Sequence, residues 1–370
     1  MELLFKKKFT FINLTLEDTT FYKGLAILII IMHNFFHWVP PAPGENEQNF
    51  HPSRVDKYLQ IVFNQPEYIF QATFSYLGHY GVQVFLFLSA YGLTVKYLNS
   101  DIQYFSYLKR RILKIYPAFL FSILVWLLYV GIMYGGLPVI IKTIVTNWEA
   151  ILYKITFIAN FIPNQLYKLN GPWWFVSLIV QFYILFPFML FLFKKYSTKS
   201  LVILSLSSLI ATAFLQPHLA IPLAGTILVH IPELSIGIYF AQKKNFSINY
   251  VSILVIAAIF LLSNYYKLFW YLSFSSILIL MLIMFQGILL KINHSIKNII
   301  LFIGSISMYI FYINGFMRYP WVRNAKEYDL WYTNIFICFL SISLVIVLSY
   351  LMMKISQDLS KYYKKTDTIT

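Results

Sequence analysis

The chain has 370 residues, 59% hydrophobic and only 12% charged, and its mean hydropathy is +0.68. A water-soluble domain carries about a quarter of its residues as charges, so the polar shell that water requires is missing. The formal charge of +15 is not a nucleic-acid footprint, because Lys and Arg fall between apolar blocks, as the loop charges of a membrane protein do. One cysteine, Cys338, excludes an intrachain disulfide.

The apolar blocks are long enough to cross a hydrocarbon core, which takes about 20 residues of helix. Backbone polar groups in lipid need internal partners, so the blocks are expected as helices. The fold class that follows is all-α, a polytopic transmembrane bundle of about ten spans.

Lys6, Lys7 and Lys8 precede the first span, 21–38, in the manner of a signal peptide. No small-residue cleavage site follows, so this span is expected to be retained. It carries Lys23 at its inner end and His33 about 15 Å further along the helix. His37 lies one turn beyond His33 and shares its face. Imidazole takes and returns a proton near neutral pH, which suits a base acting on a hydroxyl. A place in an aromatic belt beside Trp38 is the plain alternative. Metal ligation with His79 is another, but no cysteine or neighbouring carboxylate completes a familiar set and no metal is expected.

Segment 39–76 opens with Pro40-Pro41-Ala42-Pro43-Gly44 and forms the largest outer excursion. The second span is 77–97. Lys109-Arg110-Arg111-Ile112-Leu113-Lys114 then marks the inner end of the third, 112–134. Such a cluster either sets topology beside anionic lipid or clamps a polyphosphate through forked guanidinium donors. Segment 137–160 is apolar but interrupted by Lys142, Asn147, Glu149 and Lys154. It reads as an interfacial or re-entrant helix within an outer loop, 135–171. Spans follow at 172–193, 200–216, 222–241, 249–264, 269–290, 299–317 and 332–353. The sixth contains His230-Ile231-Pro232-Glu233, and a carboxylate at membrane depth should face the interior and pair.

With the N-terminus inside, the inner segments hold Lys6–Lys8, Lys23, Lys96, Lys109, Arg110, Arg111, Lys114, Lys194, Lys195, Lys199, Lys243, Lys244, Lys291, Lys297, Lys354, Lys361, Lys364 and Lys365. These are 20 of the 29 basic residues, a positive-inside bias that puts both termini in the cytoplasm. Residues 1–370 read as one integral membrane domain.

Several motifs together resemble the acyltransferase-3 family of membrane acyltransferases. Lys23-Gly24-Leu25-Ala26 followed by His33 is similar to its basic–Gly-Leu-Ala…His opening, with lysine for arginine and nine intervening residues where ten is frequent. Gly81-Val82…Phe85…Ser89-Ala90-Tyr91 resembles its Gly-Val-x-x-Phe…Ser-Gly-Phe segment. Arg110-Arg111-Ile112-Leu113-Lys114-Ile115-Tyr116-Pro117 is similar to its Arg-Arg-x-x-Arg-Ile-x-Pro pattern. Trp174 through Pro187, Pro232-Glu233…Gly237 and Gly304…Ser307…Tyr312 complete six motifs in family order. Ile179 and Val180 stand where many members carry glutamates, and Asn314 where the late histidine falls. No hydrolase-like domain follows the last span, so the chain resembles the stand-alone members.

The resemblance implies transfer of an acyl group, most often acetyl, from cytosolic acyl-CoA to a hydroxyl of a surface polysaccharide or its lipid-linked precursor. It implies His33 as base or acyl relay, and Lys23, Arg110, Arg111 and Lys114 as holders of CoA phosphates. His37 and Glu233 are the further candidates, for acceptor orientation or structural pairing. The expected location is a bacterial cytoplasmic membrane. A polytopic transporter or glycan exporter without acyl-transfer chemistry is the alternative, using the same polar groups as a permeation path.

Overall fold

The computed structural model describes residues 8–243 and 246–366. Lys6, Lys7 and Lys244, placed above on the inner side, lie outside the described residues. The chain divides into two compact units, Met1–Ile102 with Gln181–Ser305, and Gln103–Val180 with Ile306–Thr370.

In the first unit, β1 (Lys8–Phe11) pairs antiparallel with β2 (Phe246–Asn249). This short ribbon is a minor addition to the expected all-α architecture, since helices dominate the described residues. Helix α1 (Leu16–Phe36) starts five residues before the expected span. Thr15 caps it by a reciprocal box: its hydroxyl accepts from the Asp18 amide at 3.1 Å, and the Asp18 carboxylate accepts from the Thr15 amide at 2.8 Å. The excursion after α1 is structured, with α2 (Ser53–Asn64) and α3 (Ile69–Leu77). The expected span 77–97 is therefore shorter than foreseen: a 3-10 turn, Gly78–Tyr80, leads into α4 (Gly81–Tyr97).

In the second unit, α5 (Tyr104–Tyr134) has 31 residues, about 46 Å of helix against a hydrocarbon core of about 30 Å. Next comes α6 (Leu137–Ile155), kinked at Asn147, whose side-chain amide donates to the Thr143 carbonyl at 3.0 Å. Helix α7 (Trp174–Tyr196) begins in this unit and ends in the first. The first unit continues with α8 (Thr198–Leu215), α9 (Ile227–Gln242), α10 (Tyr250–Tyr265), α11 (Leu272–Lys291) and α12 (His294–Ser305). The second closes with α13 (Ser307–Met317), α14 (Tyr319–Tyr328) and α15 (Trp331–Thr366).

Among the described residues, six helices are long and apolar enough to cross a membrane, or seven if the pair broken at Ile306 counts as one. Helices α9 and α10 are apolar but have 16 residues each, about 24 Å. The stretch 299–317, read as one span, is split between α12 and α13. At the break the Ser305 hydroxyl bonds back to the Phe302 carbonyl at 2.7 Å, and Ile306 leaves helical geometry at φ −103°, ψ 6°.

Large apolar side chains line the outside, among them Ile132 at 83% exposure, Phe214 at 71% and Leu268 at 84%. Water would not tolerate so much exposed apolar surface, whereas lipid does. The chain is a multi-pass membrane protein. In the first unit the interior is aromatic and aliphatic, with Phe21, Tyr22, Phe87, Phe274, Leu278 and Phe285 fully or nearly fully buried. There α1 and α12 touch backbone to backbone: a Cβ on Gly24 would overlap the Ile300 carbonyl, and one on Gly304 the Thr20 carbonyl. Both glycines belong to the motifs noted above, and close approach explains them. Gln181 accepts from the Ile227 amide at 2.9 Å, satisfying one donor at the start of α9.

In the second unit the Trp173 indole and the Asn170 side-chain amide both donate to the Tyr312 carbonyl, at 2.9 and 3.3 Å. Phe119 packs on Trp173 and on Tyr312, with ring centroids 5.5 and 5.7 Å apart.

Candidate active site

His33 lies one turn before the end of α1, on the face that α3 covers, and is 5% exposed. Gly78 makes this packing possible, since a Cβ there would stand 2.6 Å from the His33 Cβ. At the C-terminal end of α3, His33 Nδ1 meets two carbonyls, Phe74 O at 3.2 Å, which also accepts from the Gly78 amide, and Ser75 O at 3.1 Å. Carbonyl oxygens only accept, so Nδ1 carries the hydrogen and the neutral ring keeps its lone pair on Nε2. That tautomer is the one a general base requires.

Two more imidazoles stand against this ring. His37 has its centroid 5.5 Å away and His79, buried in the 3-10 turn, 5.6 Å away. The structure also brings in Glu45, whose carboxylate Oε2 is 2.5 Å from His37 Nδ1. One donor atom from each of His33, His37 and Glu45 lies within 4.8 Å of the other two. The loop bearing Glu45 is fixed rather than draped. The Arg54 guanidinium donates to the carbonyls of Glu45 and of Asn49, the latter at 2.7 Å. The Trp270 indole donates to the Asn46 carbonyl at 2.8 Å, and Gln71 donates to the Val39 carbonyl at 2.8 Å.

Glu233 is fully buried on α9. Its Oε1 accepts from the Ser275 hydroxyl on α11, and Oε2 is 3.3 Å from His230 Nδ1. His230 Nε2 donates to the Ala224 carbonyl at 2.9 Å. The expected His230–Glu233 pairing is thus present, extended by a serine. Ring contacts link the two clusters: His79 to Tyr80 at 3.9 Å, Tyr80 to Phe274 at 5.9 Å and Phe274 to His230 at 5.4 Å.

Lys23 is half-buried on α1 in this same unit. Arg110 and Lys114 are exposed and Arg111 half-buried on the first turns of α5, in the other unit. Arg111 lies over the Tyr107 ring at 5.8 Å. Ile179 and Val180, at the places of the missing glutamates, are buried apolar residues, and Asn314 is buried on α13.

Three residues escape a reading of the sequence. Glu45 follows His37 by eight residues, and the Pro40–Gly44 turn, with Gly44 at φ +80°, is the signal that the chain folds back over the helix end. Ser275 gives no signal, being one of several serines in α11. Lys154, read as a polar interruption of an interfacial helix, is instead 1% exposed, with Nζ donating to the Leu166 carbonyl at 2.6 Å. Burial lowers its amine from the usual lysine range to about 7.

No curated protein and no solved structure matches the chain. The acyltransferase-3 family model, an acyltransferase domain, matches residues 20–354. With nearly the whole chain inside that match, the protein belongs to the acyltransferase-3 family.

Proposed function

We propose that the protein is a membrane O-acyltransferase that moves an acyl group, acetyl in the first place, from cytosolic acyl-CoA to a hydroxyl of a cell-surface polysaccharide or its lipid-linked precursor. One observation carries this reading: His33 is held by two backbone carbonyls so that Nε2 keeps its lone pair. In the direct route, Nε2 takes the proton of the acceptor hydroxyl as its oxygen attacks the thioester carbonyl. The C–S bond breaks, and the imidazolium returns the proton to the leaving CoA thiolate. In the relay route, Nε2 attacks the thioester carbonyl and the C–S bond breaks, releasing CoA thiolate; the acceptor oxygen then takes the acyl group from Nε2 and its proton passes to solvent. His37 and Glu233 orient the acceptor or serve structural pairing, while Lys23, Arg110, Arg111 and Lys114 hold CoA phosphates. Family membership favours this chemistry over an exporter.

The proposed setting is a bacterial cytoplasmic membrane, with residues 1–370 acting as one domain of ten spans and both termini in the cytoplasm. The positive-inside bias supports that topology. Comparing the O-acyl content of the surface glycan by NMR, with and without the gene, tests the activity. Identical spectra would sink it. For topology, single cysteines at exposed Glu67 and Lys195 in a Cys338→Ser background serve. An impermeant thiol reagent on intact cells should label only the first.

A further inference from the structure

We propose that His33, His37 and Glu45 form a binding site for a divalent transition-metal ion, zinc by ligand chemistry, and that filling it blocks the base. Two imidazoles and one carboxylate are the donor set that zinc takes when a coordination position is left open. Calcium and magnesium are disfavoured, because they want oxygen ligands. The ligand atoms all lie within 4.8 Å of one another, so one ion reaches all three after small side-chain adjustments.

Two further observations point to a ligand. His37 Nδ1 and Glu45 Oε2 face each other at 2.5 Å without hydrogen-bond alignment, and neither atom has a hydrogen-bond partner elsewhere among the described residues. A zinc ion at about 2.0–2.2 Å from each would satisfy both once the two side chains part to admit it. The second is the support behind His33. Ligating histidines generally donate their other ring N–H to a carbonyl or carboxylate, and His33 Nδ1 does so to Phe74 O and Ser75 O. The His37 and Glu45 side chains are 28% and 18% exposed, while the two facing atoms are themselves buried.

The consequence follows from electron pairs. The lone pair of His33 Nε2 cannot both bind a metal and accept a hydroxyl proton, so zinc should inhibit acyl transfer. This second half rests on the assignment of His33 as base or relay; the binding half does not.

Tag-free protein in detergent, stripped with chelator, is titrated with zinc chloride by calorimetry and with cobalt(II) by visible absorption. One ion per chain is expected, together with a higher thermal midpoint in zinc. His37→Ala and Glu45→Gln should each weaken binding by at least about tenfold, while His51→Ala, at an exposed histidine nearby, should not. Glu45→Gln keeps the size and an oxygen acceptor, so its fold is expected to survive; an unchanged size-exclusion profile verifies this. Absence of a stoichiometric ion in the parent protein, or unchanged zinc affinity in Glu45→Gln, overturns the site. Tight zinc binding with acyl transfer at full rate overturns the blockade. A protein without acyl transfer under any condition overturns the proposed activity instead, and the zinc titration still decides the metal site.

Discussion

His33 and Arg110 both interrupt apolar helices with a group able to do chemistry, yet the fold treats them differently. His33 is 5% exposed, its tautomer set by two carbonyls and its ring flanked by two other imidazoles. Arg110 and Lys114 are exposed. The first is a group organised before any substrate arrives, and such organisation is what makes a base effective at the moment of reaction. The second is a set of exposed charges that a polyanion would have to order, at an entropic cost for each side chain. On the proposed reading, preorganisation belongs to the base and adaptability to the holders of the donor.

The comparison breaks most readily at His33. His33→Ala should lower glycan acylation by about 100- to 10,000-fold while the protein still accumulates in the membrane, and His37→Ala should cost less. Normal O-acyl levels in a well-expressed His33→Ala strain would remove the base from this position.

Gly78 tests preorganisation itself without touching the imidazole. A methyl group there meets the His33 Cβ at 2.6 Å and the Ile29 carbonyl at 3.0 Å, so the ring must shift. A displacement approaching 1 Å costs about 100-fold in rate. Gly78→Ala should therefore depress kcat with little change in KM for acyl-CoA. A parallel fall in donor affinity would mean general unfolding instead.

The basic cluster is expected to respond more mildly. A charged hydrogen bond to phosphate is worth about 1.5–3 kcal/mol, so losing one weakens acyl-CoA binding by roughly 10- to 100-fold. Arg110→Lys with Arg111→Lys keeps the positive charge that guides insertion but loses the planar fork. Calorimetry in detergent should show correct assembly and weaker donor binding. Unchanged affinity would assign the cluster to topology alone.

What the sequence discloses here is what is local. Apolar blocks and the His33–His37 face follow from helical periodicity, and both appear at α1, where His37 is the C-cap. Close glycines at 24 and 304 stand in the motifs, although only packing says what they touch. Glu45 reaches His37 because a turn returns the chain and Arg54 and Trp270 pin it, contacts spanning 9 and 224 residues from their partners. No periodicity encodes those. The length of each span was equally hidden, since a serine hydroxyl that bonds its own helix, as Ser305 does, looks like any other serine.

Lys154 carries the contrast between buried and exposed cations inside the second unit, and its effect should be the smallest. The amine is 1% exposed, bonded to the Leu166 carbonyl, and lowered by burial from 10.5 to about 7. Below pH 7 it is protonated in the folded and the unfolded protein alike, so the cost of burying an ammonium is present in full. Between about 7 and 10.5 the unfolded chain binds the proton and the folded one does not, so stability rises with pH across that window. Lys154→Met removes the titration and keeps most of the volume. Replacing a buried charge by an apolar isostere is often stabilising, so the variant should melt a few degrees above the parent at pH 6.5. The two should converge towards pH 10, as the parent's midpoint climbs and the variant's follows only the remaining groups. Parallel melting curves across the whole range would mean that the amine reaches water through the α6 side, and that the second unit, like the tips of Arg110 and Lys114, keeps its cations solvated.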